Sequence, residues 1–180
     1  MTPPTRRALL RNSPAARREV ADLLQAIMVA EVLRPSAQLW VVAPILADAP
    51  VLDNRAGGFT ALEPSWGERA IGLIDVLSRN LTLGGHVTVV VGSGPDGDRF
   101  LRWLRERAEA VGVATRLEAR AATSLPVQGI AGEGFSLSGA LAWTATAVSI
   151  AEEGITFEAG ADAGARAHAL FHQAYGGGAA

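Results

Sequence analysis

Apolar residues follow two spacings along this chain, and the alternation between these spacings predicts an α/β fold. From Val20 to Met28 apolar positions recur every three or four residues, which is typical of a helix that buries one face. Ser13-Pro14 favours a helix start, and Arg34-Pro35 favours its end. The uninterrupted apolar runs at 39–44 (LWVVAP) and 87–91 instead predict strands buried on both faces.

The same patterns predict the rest of the chain. We expect helices at 70–81, 98–111 and 161–175, and further strands at 113–119, 135–138 and 155–158. Residues 45–67 form a connection of a length that is typical of functional or disordered loops. Strands alternating with helices indicate one α/β domain over residues 1–180, with a mixed, mostly parallel sheet flanked by helices on both faces. Residues 1–12 are expected to form a basic arm and residues 176–180 a disordered tail.

Composition excludes several kinds of chemistry. The chain has no Cys, which excludes disulfides and thiolate metal ligands. All 16 basic residues are Arg, which excludes Schiff-base and P-loop lysine chemistry. The net charge of −2 disfavours non-specific nucleic-acid binding, so any contact with nucleic acid is expected through partners. We find no secretory signal, and residues 134–151 contain too much Gly, Ser and Thr for a membrane span; we expect a soluble, cytoplasmic protein without membrane contact.

Residues 125–153 (LPVQGIAGEGFSLSGALAWTATAVSIAEE) carry the most information. Their spacing resembles the motif of the phospholipase D-like superfamily, in which His-x-Lys, four residues and an acid precede a short strand and Gly-Ser-x-Asn. On that frame, His falls on Pro126 and Lys on Gln128, and the acid falls on Glu133. Gly-Ser-x-Asn falls on the four positions Gly139, Ala140, Leu141 and Ala142.

The resemblance extends over about residues 15–176. Residues 39–59 (LWVVAPILADAPVLDNRAGGF) and 65–69 (SWGER) resemble a bacterial group with one motif per chain, the DpdK-type components of gene clusters that place 7-deazapurines in DNA and restrict foreign DNA. In the superfamily, one His attacks phosphorus, a second His protonates the leaving group, and Lys and Asn stabilise the phosphoryl oxygens. Members with one motif assemble the site from two chains, so the resemblance implies a homodimer or a heteromeric complex.

This chain lacks the reactive groups of that motif. Pro126 supplies no nucleophile, Gln128 no positive charge, and Ala140 and Ala142 no hydrogen-bond donor. Loss of a nucleophile alone costs a comparable hydrolase about 10⁶ in rate. We therefore expect no catalytic residue, metal or cofactor, and a structural or binding subunit of a bacterial DNA-modification, restriction or phage-defence system.

Any residual polar site is expected in the long connection and near the end of the motif region. Asp53, Asn54 and Arg55 offer an acid, an amide and a guanidinium that can grip phosphate in a bidentate manner, unless Arg55 merely pairs with Asp53. Glu152 and Glu153 follow the motif. A first alternative is therefore a phosphodiesterase with a rerouted, metal-assisted site, in which Asp53, Arg55, Glu133 and Glu152 carry out hydrolysis without a histidine nucleophile.

A second alternative is a nucleotide-binding module. Residues 92–97 spell Gly-x-Gly-x-x-Gly between a strand and a helix, the arrangement that admits a diphosphate to a helix N-terminus. Asp96 and Asp98 would place negative charge beside that diphosphate, which favours an ordinary glycine-rich turn. His168 and His172 lie four apart on a predicted helix, but a third metal ligand is not evident, and we expect surface or interface histidines. Residues 125–153 could also be the glycine-rich strand and turn of an ordinary α/β domain.

Overall fold

A computed structural model describes residues 6–10, 14–150 and 154–176 and has a mixed α/β architecture. The described residues form four helices, which are α1 (Pro14–Leu33), α2 (Leu73–Thr82), α3 (Pro95–Ala110) and α4 (Ala161–Tyr175). The first six strands are β1 (Arg6–Leu10), β2 (Gln38–Ala43), β3 (Ile45–Leu46), β4 (Pro50–Asp53), β5 (Ala70–Gly72) and β6 (His86–Gly92). The other six are β7 (Leu117–Ala122), β8 (Gly129–Gly132), β9 (Phe135–Ser138), β10 (Leu141–Trp143), β11 (Val148–Ile150) and β12 (Gly154–Ala159).

The main sheet has seven strands in the order β1-β12-β9-β8-β2-β6-β7. Only the β2–β6 and β6–β7 pairs are parallel, and the other four pairs are antiparallel. The prediction of a mostly parallel sheet was therefore wrong, although the sheet is mixed. After β7 the chain has no further crossover helix before the two-residue turn at Glu133-Gly134, and so short a turn can join only antiparallel strands.

The predicted basic arm at residues 1–12 contains an edge strand. β1 pairs in antiparallel fashion with β12, and the Arg6 Nε lies 3.3 Å from the Glu158 Oε1. The backbone groups of residues 6–10 find their hydrogen-bond partners in β12, which is distant in sequence, so local pattern did not predict this strand. Residues 1–5 and 11–13 lie outside the described residues, as do residues 177–180 of the predicted tail; Gly176 donates a backbone hydrogen bond to the His172 carbonyl at 2.7 Å.

The core lies on both faces of the sheet. Alternate residues of β2 point to opposite faces, so Val41 packs in the large cluster beneath α1, α2 and α3, whereas Trp40 packs in a smaller cluster beneath α4. Both side chains are buried. The predictions of helices on both faces and of a doubly buried strand at 39–44 are confirmed.

Several boundaries differ because tertiary contacts compete with local pattern. The predicted helix at 70–81 begins with β5, which pairs with β4, and α2 starts only at Leu73. The Asp48 carboxylate accepts a hydrogen bond from the Ile74 amide at 2.8 Å, so a residue from another segment caps α2. Residues 45–67, predicted as one connection, contain β3, β4 and a 3₁₀ turn, Pro64–Trp66.

Candidate functional site

Apart from Glu133, the positions of the degenerate motif lie at or near the end of the sheet where the parallel strands β2 and β6 terminate. Gly139 donates a backbone hydrogen bond to the Gln128 carbonyl at 3.0 Å, and Gly129 pairs with Ser138. Ala142 lies in a separate sheet, beside Ile45 of β3. The chain therefore brings the two halves of the motif frame together as a β8–β9 hairpin followed by β10.

Two glycines hold this arrangement. Gly129 has a φ of 141°, and an added Cβ would lie 2.0 Å from the Leu137 carbonyl oxygen. Gly139 has a φ of 119°, and an added Cβ would lie 2.5 Å from the Gly154 carbonyl oxygen. Because both positions combine a positive φ with close backbone contact, only Gly fits them without strain.

The side chains at the motif positions are inert or hydrogen-bonded within the chain. Pro126 is exposed and Ala140 is buried. The Gln128 Nε2 donates to the Leu125 carbonyl at 3.1 Å, and its buried Oε1 has no partner among the described residues. None of these groups is a nucleophile or a cation at neutral pH.

Tyr175 fixes the segment between the first two motif positions. Its hydroxyl donates to the Val127 carbonyl at 2.5 Å and accepts from the Val127 amide at 3.3 Å. Burial raises the pKa of the Tyr175 hydroxyl, which keeps this group protonated and donating. The C-terminal end of α4 therefore holds the backbone of the motif without adding a reactive group.

Glu133 lies away from the other motif positions. It occupies the β8–β9 turn, at the opposite end of β8 from Gln128. Its side chain is exposed, and its amide donates to the Ser36 Oγ at 3.0 Å. The length of β8 therefore separates the acid of the motif frame from Gln128.

The predicted Asp53-Asn54-Arg55 site is divided by burial. Asn54 is fully buried; its Oδ1 accepts from the Phe59 amide at 2.6 Å and its Nδ2 donates to the Gly67 carbonyl at 2.5 Å. Both ends of the Asn54 amide therefore hold the loop, and the predicted role of this residue in ligand binding stays a prediction. The exposed Arg55 Nη1 lies 3.8 Å from the Asp53 Oδ2, which is a weak pair at this exposure.

The remaining predicted binding residues do not converge within the described part of the chain. Asp53 and Arg55 line a groove of about 390 Å³ beside Arg18 and Gln25 of α1. Glu133 lines a different groove, whose α1 residues begin at Leu23 and include neither Arg18 nor Gln25. Glu152 and Glu153 lie outside the described residues.

Packing explains two of the three glycines in the Gly92–Gly97 turn. A Cβ on Gly92 would lie 2.4 Å from the Pro44 carbonyl oxygen, and a Cβ on Gly97 would lie 2.9 Å from the Gly92 carbonyl oxygen. Asp96 and Asp98 both lie in the first turn of α3. Their carboxylates already compensate the positive end of the helix dipole at which a diphosphate would bind.

The two histidines of α4 occupy different surroundings. His168 is half-buried, and burial lowers the pKa of its imidazole. His172 packs edge-on against Trp40, with 5.1 Å between ring centroids. Across the residues that the structure describes, no three His, Asp or Glu side chains are grouped to hold a metal ion.

Two features were not identified from sequence: a groove beside Trp103, at the end of the sheet that carries most motif positions, and a buried acid in α1. Trp103 and Ile45 are 47% and 48% exposed, and they line a groove of about 300 Å³ with the buried Trp143. Glu31 is 97% buried within the apolar face of α1. An acid inside an apolar helical stripe was the available signal for Glu31, whereas the exposure of Trp103 depends on where α3 meets the sheet.

Comparisons with known proteins do not identify a family. No protein-family model and no curated protein matches the chain. Among solved structures, TrmBL2, an archaeal chromatin protein described as showing a novel mode of DNA binding, matches with a TM-score of 0.44 and 11% identity. The match covers 96% of this chain and 50% of that one, so this chain spans half the length of the archaeal protein.

Within the described residues, no helix has the length and apolar character that crossing a membrane requires.

Proposed function

We propose that this chain is a catalytically silent phospholipase D-like domain that serves as a structural or binding subunit of a larger assembly. The observation that carries the proposal is the meeting of Gln128 and Gly139, from the two halves of the motif frame, at one end of the β8–β9 hairpin without a His or Lys. Gln128, at the position of the motif lysine, uses its amide on its own backbone. Following the resemblance, the assembly belongs to a bacterial DNA-modification, restriction or phage-defence system.

The partner surface in this proposal is the end of the sheet that carries the motif. Ile45 pairs with Ala142 of the motif frame, and Trp103 lies on the same groove with Arg99. Exposed Trp and Arg side chains beside an apolar groove are typical of residues that dominate protein interfaces. In relatives with one motif per chain this end joins two half-sites, which supports a second copy of this chain as the partner.

A hydrolysis assay tests the catalytic part of the proposal. We expect no turnover of bis(4-nitrophenyl) phosphate above buffer, with or without Mg²⁺ or Mn²⁺. Metal-dependent turnover that Asp53→Asn or Glu133→Gln removes would instead support the rerouted phosphodiesterase. Turnover that is independent of metal and survives both substitutions would contradict both mechanisms.

Sedimentation equilibrium tests the partner surface. Truncation of a central interface Trp costs about 2 kcal/mol or more, so Trp103→Ala should weaken self-association about 30-fold. Ile45→Asp should do the same, whereas Leu170→Asp, at an equally exposed apolar residue of α4, should leave association unchanged. Association that is insensitive to Trp103 and Ile45, or a wild-type protein that is monomeric at 100 times its cellular concentration, would refute the homodimer.

The nucleotide-binding alternative has its own measurement. A nucleotide held by the native state would raise the Tm, since a ligand stabilises the state that binds it. We expect no change in Tm with NAD or ATP, because Asp96 and Asp98 occupy the first turn of α3. A rise in Tm that Asp98→Asn increases would support a nucleotide site at this turn.

A further inference from the structure

The groove that Glu133 lines has a volume of about 690 Å³. It runs between α1 and the sheet, on the far side of α1 from Asp53. Ile27 of α1 lies on one wall, and Phe135 and Phe157 lie on the other with their rings stacked at 6.5 Å between centroids. Ala26 and Ala30 leave the α1 side of the groove open to solvent. This volume and this apolar lining are those of a small-molecule site.

A buried carboxylate lies at the floor of this groove. Glu31 is 97% buried, and its carboxylate accepts from the Ser36 amide at 2.9 Å, the Ser36 Oγ at 2.7 Å and the Asn80 Nδ2 at 3.0 Å. No Arg or His of the described residues lies within 4.0 Å of it. A carboxylate offers about four acceptor positions, so one remains beyond these three donors.

The charges around the groove favour a cation. Burial raises the pKa of the Glu31 carboxyl, and the nearby Glu133 raises it further, so both effects act against the ionised form. The side chains that line the groove include two acids, Glu31 and Glu133, and one cation, Arg34. A positive group beside Glu31 would offset the desolvation of the carboxylate, whereas an anion would add to the repulsion.

We propose that this groove binds a small organic cation, an ammonium group attached to an apolar or aromatic body. The ammonium lies against the Glu31 carboxylate, and the apolar body lies between the two Phe rings and α1. The site lies at the β8–β9 turn, at the opposite end of the hairpin from Gln128 and Gly139, and it shares no lining residue with the groove around Trp103. It therefore stands or falls independently of the proposed function.

Titration calorimetry with three matched probes tests the site. The probes are 2-phenylethylamine, 2-phenylethanol and phenylacetate, which share a ring and differ in charge. We expect the amine to bind at least about tenfold more tightly than the alcohol, and phenylacetate to bind most weakly, since a charged hydrogen bond is worth more than a neutral one. Equal affinity for all three probes, no binding of the amine, or preference for phenylacetate would overturn the proposal.

Three variants identify the location of the site. Glu31→Gln should remove the preference for the amine, whereas Asp53→Asn, which changes the net charge equally on the other side of α1, should retain it. Ala30→Trp should abolish binding of both the amine and the alcohol by filling the groove from an exposed position that does not disturb the core. Unchanged amine affinity in Ala30→Trp would place the binding elsewhere, and this result does not depend on the folding of Glu31→Gln.

Discussion

Asn54 provides a direct test of whether the loop after β4 is a ligand site or a structural element. The side chain is fully buried, and its Oδ1 and Nδ2 each make one close hydrogen bond, with the Phe59 amide and the Gly67 carbonyl. A third, longer contact joins the Nδ2 to the Thr60 Oγ1 at 3.4 Å. Together these contacts tie residues 54, 59–60 and 67, so the loop depends on one side chain.

Asn54→Ala should destabilise the protein by about 2–4 kcal/mol, because two partly buried backbone groups each lose a partner at about 1–2 kcal/mol, the lower part of the range for buried groups. For a domain of this size, each kcal/mol lowers the Tm by about 2–4 °C, so the expected shift is about 4–16 °C. The measurement is urea unfolding followed by circular dichroism, with the slope of unfolding free energy against urea compared between variants.

Asp53→Ala is the matched control, since Asp53 is the exposed neighbour and its pair with Arg55 is long. We expect a change of less than about 0.5 kcal/mol for this control. A free energy of unfolding for Asn54→Ala within 0.5 kcal/mol of wild type would refute the structural role of Asn54. It would return the side chain to consideration as a phosphate ligand, because a ligand residue can be removed without cost to the free protein.

Three further predictions use the same unfolding measurement. Gly139→Ala should cost about 2–6 kcal/mol, from strain at a φ of 119° and from the contact 2.5 Å from a β12 carbonyl oxygen; Gly134→Ala, with open space around it, is the control, and equal costs would refute the argument. Asp48→Ala should cost about 1–2 kcal/mol through loss of the bond to the Ile74 amide, and an unchanged stability would show that α2 needs no such cap. Because burial raises the pKa of Glu31 above its ordinary value of 4.5, the folded state binds a proton more tightly than the unfolded state. The contribution of Glu31 is therefore greatest below about pH 4.5 and is lost as the pH rises through the folded pKa; the difference in stability between wild type and Glu31→Gln should change with pH in that direction, and a pH-independent difference would contradict it.

Local pattern was sufficient for the elements whose cause is local. The helix starting at Pro14, the doubly buried strand β2, the strand β9 and the helix α4 follow from apolar spacing, Pro and Gly positions, and capping preference. These features depend on which faces of a segment are apolar, and that is written in neighbouring residues. The same holds for the missing chemistry, because the absence of Lys and Cys and the identity of Pro126 need no structure.

Tertiary structure decided the direction of strands, the pairing of β1 with β12, and the role of each polar side chain. A strand reads the same in sequence whether its neighbour is parallel or antiparallel, since apolar spacing reports burial and not partner direction. Asn54 and Arg55 are adjacent in sequence and equally polar, yet one is fully buried and the other exposed. Glu31 became a candidate ligand-binding residue only when α1 packed against the sheet and left a groove beside it. Burial and distance between segments are properties of the assembled fold, and they separate residues that hold the structure from residues that can hold a ligand.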